Sequence, residues 1–189
     1  EFFNYLKSFD IVVLGGFDSF GYHSKCLGSS IFNDLMKYRN EGGIILTLHD
    51  IAFENLYQIF APFYKQVIGY KDKRAINIDG LKFYEKVSFN KSSNKNEIMS
   101  SPFKINDPFD VAETHFTIAL DPKYIVVQNE DKSQHYYAEN LEENFADLAM
   151  CHTIPISHNE EKFFYNAVCH LCKYCRNHIP SKYEYHKWM

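Results

Sequence analysis

The feature that most constrains this chain lies in its first fifty residues. Asp10-Ile11-Val12-Val13-Leu14 is a short apolar, β-branched run stopped by Gly15-Gly16, the form of a strand buried on both faces. Ser29 or Ser30 can cap the next segment, where Ile31, Phe32, Leu35 and Met36 recur at helical spacing as far as Glu41. Gly42-Gly43 stops that helix, and Ile44-Ile45-Leu46-Thr47-Leu48 reads as a second buried strand. Strand, helix and strand in this order make a βαβ unit. Its crossover is right-handed, so the two strands lie parallel in one sheet.

The rest of the chain is read against that unit. Residues 52–70 are aromatic-rich and predict a helix around Pro62, and residues 75–89 alternate as a strand or hairpin would. Residues 92–96, Ser-Ser-Asn-Lys-Asn, form a polar loop. Tyr124–Val127 predicts a third strand, Asn129–Ser133 a turn, and Leu148–Cys151 a fourth strand. Ser157 precedes Glu160 by three residues, a capping box ahead of a long helix. The apolar stripe of that helix reads Phe164, Val168, Leu171, Cys172 and Cys175. The expected fold is α/β: a flavodoxin-like three-layer sandwich, with a mainly parallel central sheet and helices on both faces. Residues 1–178 are expected to form one domain, and residues 179–189 a basic, aromatic tail. The chain begins Glu1-Phe2-Phe3 and stops at Trp188-Met189, so the expectation is a segment of a longer or processed protein, with the tail leading onward.

Composition narrows the function classes. With 46% hydrophobic and 23% charged residues among 189, the chain is globular rather than disordered. No run approaches the roughly 18 apolar residues of a membrane-spanning helix. Lys and Arg total 20 against 24 Asp and Glu, so a general basic footprint for nucleic acid is absent and none is expected as a partner. The unusual numbers are 17 Phe and 14 Tyr beside only 8 Gly, a load that fills a dense core or faces a protein partner.

Five cysteines, Cys26, Cys151, Cys169, Cys172 and Cys175, are a poor disulfide framework because the count is odd. Cys169, Cys172, Cys175 and His178 share a three-residue spacing, which raises a zinc or iron-sulfur site. On a helix, however, residues three apart drift by about 60° per step, so these ligands converge only if the helix ends near Cys172. Core cysteines or partial disulfide pairing are the alternative.

Polar chemistry collects elsewhere. Ligands of an open parallel sheet bind beyond the carboxyl ends of its strands. Asp18 lies just past the first strand, His49 and Asp50 follow the second, and His152 is expected directly after the fourth. His115 can join them from the middle region. Imidazole titrates near neutrality and suits proton transfer, with a carboxylate to hold its tautomer. Two or three histidines with an Asp also form a donor set for a divalent metal that activates water. Each residue has a structural alternative too: a half-buried His, Asp50 capping a helix, Asp18 organising its own turn.

At these residues the chain resembles the class I glutamine amidotransferase-like superfamily. Asp10–Gly16 with Asp18, then Glu41-Gly42-Gly43 leading into Leu46-Thr47-Leu48-His49-Asp50, carry the first part of the likeness. The nearer resemblance is to the trehalose-utilisation-like branch and related domains of surface and secreted proteins, whose second strand ends in Gly-His-Asp or similar. Here Leu48 takes the glycine position. Tyr136-Tyr137 and Asn144–His152 resemble a later block whose strand ends in Gly-His, with Cys151 in place of that glycine. Pro102-Phe103, Thr114-His115, Asn159–Lys162 and Asn166 resemble its middle block and closing helix.

The resemblance implies a fold and also withholds an activity. A working glutamine amidotransferase carries a cysteine on the sharp turn after the second strand, and here His49 stands near that position, with no thiol for a glutaminyl thioester. Glutaminase activity is therefore not expected. Two readings stay open. One is a binding or scaffolding module of a larger surface protein or assembly, its partners other protein segments met through residues such as Tyr183, Tyr185 and Trp188. The other is a His/Asp-dependent enzyme, metal-assisted or not, acting on carbohydrate-like substrates through His49, His115 and His152 with Asp18 or Asp50. The resemblance implies a cell-surface or secreted setting.

Overall fold

In the computed structural model of the protein, residues 1–15, 29–48, 67, 82–90, 96–114, 121–132, 135–150 and 156–178 are described. A short helix not anticipated from the sequence, α1 (Phe2–Leu6), leads into β1 (Ile11–Leu14). Next come α2 (Ser29–Asn40) and β2 (Ile44–Leu48). The βαβ unit forms as expected, with β1 and β2 parallel and Ile11 opposite Ile44. Its helix stops because Gly42 adopts φ +98°, a conformation that L side chains rarely take. The Gly42 N–H then donates to Arg39 O (3.0 Å) and the Gly43 N–H to Tyr38 O (3.1 Å). This paired closure satisfies two of the helix's last carbonyls. Gly43 also lies under the Tyr38 ring, and a Cβ there would come within 2.1 Å of it.

The chain continues through β3 (Lys82–Phe89), β4 (Phe109–Thr114), β5 (Ile125–Asn129), β6 (His135–Asn140) and β7 (Phe145–Leu148). It closes with α3 (His158–His178). The described strands make one seven-stranded sheet in the order β1-β2-β7-β6-β5-β3-β4. Only β1–β2 and β2–β7 pair in parallel, while β7–β6, β6–β5, β5–β3 and β3–β4 are antiparallel. The expectation of a mainly parallel sheet is thus corrected: the fold is mixed α/β. The reason is connection length. Residues 141–144 join β6 to β7 and residues 130–134 join β5 to β6, and neither can hold the crossover that parallel neighbours require. Asn144 in the left-handed region (φ 53°) makes the first of these turns.

Two further expectations shift. The fourth predicted strand, Leu148–Cys151, is instead Phe145–Leu148, because the Met150 N–H folds back on Leu148 O (2.8 Å) and ends it. The stripe of α3 is centred on Phe163, Ala167, Leu171 and Cys175, all buried, with Phe164 and Val168 at its flank. This stripe packs with Ile44 and Leu46 of β2, Ala146 and Leu148 of β7, and Val87, Phe109 and Val127 of the antiparallel strands. Ile45 and Thr47 alternate to the other side of β2, where α2 approaches. Of residues 52–70 only Val67 is described; it is buried, and its carbonyl accepts from Asn140 Nδ2 (2.5 Å). The capping box at Ser157 and Glu160 forms: the Glu160 N–H donates to Ser157 Oγ (3.2 Å) and the Ser157 N–H to Glu160 Oε2 (2.8 Å).

Candidate functional site

Asp18, His49, Asp50, His115 and His152 lie outside the described residues, as do Cys151 and the tail at 179–189. The strand ends that lead toward them are described. Leu48 of β2 and Leu148 of β7 sit side by side in parallel register. His49 therefore follows directly from its strand, whereas His152 stands four residues beyond β7 rather than immediately after it.

At this same edge is a polar cluster that the sequence reading did not single out. Thr47 of β2 and Asp147 of β7 are register partners, and Thr47 Oγ1 lies 2.5 Å from Asp147 Oδ1. The other carboxylate oxygen, Oδ2, is 2.6 Å from His135 Nε2, with His135 only 1% and Asp147 6% exposed. His135 reaches Asp147 through an irregularity in β6. Its register against β5 shifts between Val127 and Gln128, where two residues of β6 oppose one step of β5. Tyr136 and Tyr137 consequently both face α3, with ring centroids 5.6 and 5.5 Å from that of Phe163. The lost alternation turns His135 to the opposite face, beside Asp147. His135 Nδ1 is buried and has no hydrogen-bond partner among the described residues. A carboxylate on one ring nitrogen orients the imidazole.

A second cluster binds β6 to α3. Tyr137 Oη donates to Glu139 Oε2 (2.7 Å), and His170 Nε2 lies 3.2 Å from Glu139 Oε1. Burial, reinforced by the Glu139 charge, pushes the Tyr137 phenol well above its ordinary pKa. Glu160 is fully buried and accepts from the Ala112 N–H of β4 (2.8 Å) and from Tyr136 Oη (3.2 Å) as well as from Ser157. Desolvation raises its pKa despite those donors. Glu160 is thus tied to β4 and β6 at once.

The residues that carried the family likeness meet in space. Asn166, fully buried on α3, receives the Phe103 N–H on Oδ1 (2.9 Å) and donates through Nδ2 to Ile98 O and Phe103 O, both at 2.7 Å. Phe103 is thereby held on the surface, 43% exposed, its ring 6.1 Å from that of Tyr165, which is 50% exposed. Leu48, standing where the likeness has glycine, fills the space above Gly15: a Cβ on Gly15 would come within 2.8 Å of the Leu48 side chain.

The cysteine spacing falls within α3. The helix runs unbroken to His178, so the condition for convergence fails. Among the described residues no group of three His, Cys, Asp or Glu has the geometry to hold a metal ion. Cys169 and Cys172 are half-buried and Cys175 is buried; burial pushes the Cys175 thiol up to about 12, and its Sγ points at Asp10 O (3.6 Å).

No protein-family model matches the chain. No curated protein matches it either. Solved structures do, among them PurLQS from Thermotoga maritima, at 14% identity and a TM-score of 0.56, with 86% of this chain and 80% of that one covered. At that identity the likeness is one of fold alone.

Proposed function

We propose that the chain is a binding module: a glutamine amidotransferase-like domain of the trehalose-utilisation-like branch, without amidotransferase activity, that docks within a larger surface or secreted protein or assembly. The observation that carries this reading is the Phe103–Tyr165 pair. Two large aromatic rings stand exposed side by side, and two hydrogen bonds between the Phe103 backbone and a fully buried Asn166 fix the segment that carries one of them. Rigid, exposed aromatics lose little entropy on binding and are typical anchors of protein interfaces. The Leu48–Gly15 contact agrees, since it fills space at the strand ends that a small substrate would use. The placement of α3 on one face of β2 and the approach of α2 to its other residues support the three-layer, flavodoxin-like arrangement. The test is a photo-crosslinking side chain at position 165 of the protein in its native setting. A discrete adduct lost in a Phe103→Ala variant is expected; no adduct at all removes the reading.

A second reading keeps a specific observation of its own. The buried His135–Asp147–Thr47 cluster stands at the strand edge that leads to His49 and toward His152, and His135 Nδ1 has no hydrogen-bond partner among the described residues. It favours a His/Asp-dependent enzyme on carbohydrate-like substrates. Screening glycosides and sugar esters, with and without added divalent metal, tests it. Turnover abolished by His49→Ala with an unchanged thermal melt would replace the module reading.

A further inference from the structure

We propose that Cys169 and Cys172 form a reversible disulfide site on α3, closed by small-molecule disulfides of the glutathione class, with Cys175 left reduced. All three cysteines share one spacing on one unbroken helix. Their surroundings separate them. Counted at about 100° per residue from Ala167, in the buried stripe, Cys169 is turned by about 200°, Cys172 by about 140° and Cys175 by about 80°. Burial follows those angles: Cys169 and Cys172 are half-buried, while Cys175 is 2% exposed, with its Sγ on Asp10 O (3.6 Å). Desolvation pushes the Cys175 thiol up to about 12, which withholds the thiolate that exchange requires. Of the two pairs one turn apart, Cys169 with Cys172 is therefore the one that a soluble reagent reaches.

Helix geometry permits the bridge and makes it labile. A three-residue step rises about 4.5 Å and stops about 60° short of a full turn on a radius of about 2.3 Å, which puts the two Cα atoms about 5 Å apart. Disulfides span Cα separations of about 4.4–6.8 Å, so the pair stands within bridging range. The Cβ atoms of such a pair lie about 5–6 Å apart on a regular helix, more than the roughly 3.5–4.5 Å of a disulfide. Closing the bond therefore tightens this turn of α3, and the strain keeps the bond readily reducible. That is the property of a switch rather than of a structural staple. The turn follows Asn166, whose amide holds Phe103, and Cys169 stands one turn from the exposed Tyr165. The chemistry is thiol–disulfide exchange. One cysteine thiolate attacks the small disulfide, forming a mixed disulfide and releasing one small thiol. The second thiolate attacks that bond, closes Cys169–Cys172 and releases the other. The chain gives up two electrons and two protons, and the reagent leaves as two thiols.

Peptide mass spectrometry on the intact chain tests the proposal, because trypsin cuts after Lys162, Lys173 and Arg176. Cys169 and Cys172 then share the peptide 163–173, and Cys175 falls in the peptide 174–176. The native chain is equilibrated in mixtures of oxidised and reduced glutathione, quenched in acid, then unfolded and alkylated before digestion. In oxidising mixtures peptide 163–173 is expected to lose both alkylations together and to run two hydrogens lighter, while 174–176 stays alkylated. Excess reduced glutathione should restore both alkylations. Cys172→Ser is expected to hold glutathione on Cys169, and Cys169→Ser on Cys172, as the mixed disulfide that closure removes from the native chain. A native peptide 163–173 that stays fully alkylated in the most oxidising mixture overturns the proposal. So does glutathione accumulating on that native peptide, a Cys172–Cys175 link, or a bridge from Cys26 or Cys151 to either residue. Should a serine variant fail to fold, the native chain decides alone by the same readings.

Discussion

His135 Nε2 lies 2.6 Å from Asp147 Oδ2 with both side chains sealed from solvent, and the contact joins β6 to β7 where Thr47 brings in β2. A buried carboxylate in an apolar strand is tolerable only when its oxygens find donors, and here each oxygen meets one from a different neighbouring strand. Removing the carboxylate takes the acceptor from His135 Nε2, whereas Thr47 Oγ1 keeps Ala146 O (3.3 Å). Asp147→Ala is expected to cost about 3–5 kcal/mol in urea unfolding. The His135→Leu, Asp147→Leu double variant should recover a large share of that loss, since it removes the orphaned donor together with the acceptor. Additive losses from the two single changes would mean that the pair is not coupled.

Gly15 and Leu48 are complementary in the same sense, by shape. The space that a side chain at 15 would need is occupied by Leu48 Cβ and Cδ1, each 2.8 Å from the site of an added Cβ. Gly15→Ala should therefore destabilise by about 1–3 kcal/mol through overpacking. Because the nearest atom includes Leu48 Cβ, Leu48→Ala cannot relieve the clash, whereas Leu48→Gly can. Thermal melts of Gly15→Ala in the two backgrounds should separate: penalty retained with Ala at 48, reduced with Gly.

These two contacts mark what the chain's pattern reveals and what it hides. The βαβ unit, the glycine stop at 42–43 and the Ser157–Glu160 capping box are local, so propensity and spacing are enough to place them. Strand direction beyond β2 is non-local, and it was decided by short connections such as residues 141–144 that look like ordinary turns. His135 escaped notice because the irregularity at Tyr136 breaks the alternation of His-Tyr-Tyr-Ala-Glu-Asn, so no period marks the side on which His135 falls. Asp147 did leave a signal: an acid inside Phe-Ala-Asp-Leu-Ala demands a buried partner. The histidines that the rim argument favours lie outside the described residues, so their convergence stands as a proposal.

The three cysteines of α3 differ in environment, and that difference is measurable. Cys175 is buried, its thiol pushed up to about 12 by desolvation, while Cys169 and Cys172 are half-buried. The thiolate is the reactive form. Iodoacetamide at pH 8 should therefore label Cys169 and Cys172 in the native chain and leave Cys175 unmodified until urea unfolds it. Peptide mass spectrometry reads the order directly, and early labelling of Cys175 would contradict its packing against Asp10.

Glu160 gives the fold a pH dependence whose sign is unusual for a hydrogen-bonded carboxylate. Burial raises its pKa in the folded chain above the ordinary value, outweighing the donors from Ser157, Ala112 and Tyr136. Folding therefore binds a proton at this group across the interval between the ordinary carboxylate pKa and the raised one. Its contribution is fully present below the ordinary value and is lost as pH rises through the folded one. Glu160→Gln removes the titration while keeping one acceptor for the backbone donors. The stability of the native chain relative to Glu160→Gln, measured by urea unfolding from pH 4 to pH 7, is expected to decline as pH rises. Glu160→Ala, which strands the buried Ala112 N–H, should cost about 1–3 kcal/mol at either end of that range. A native chain that instead gains on the Gln variant with rising pH would show that the three donors outweigh burial, as they do for most carboxylates.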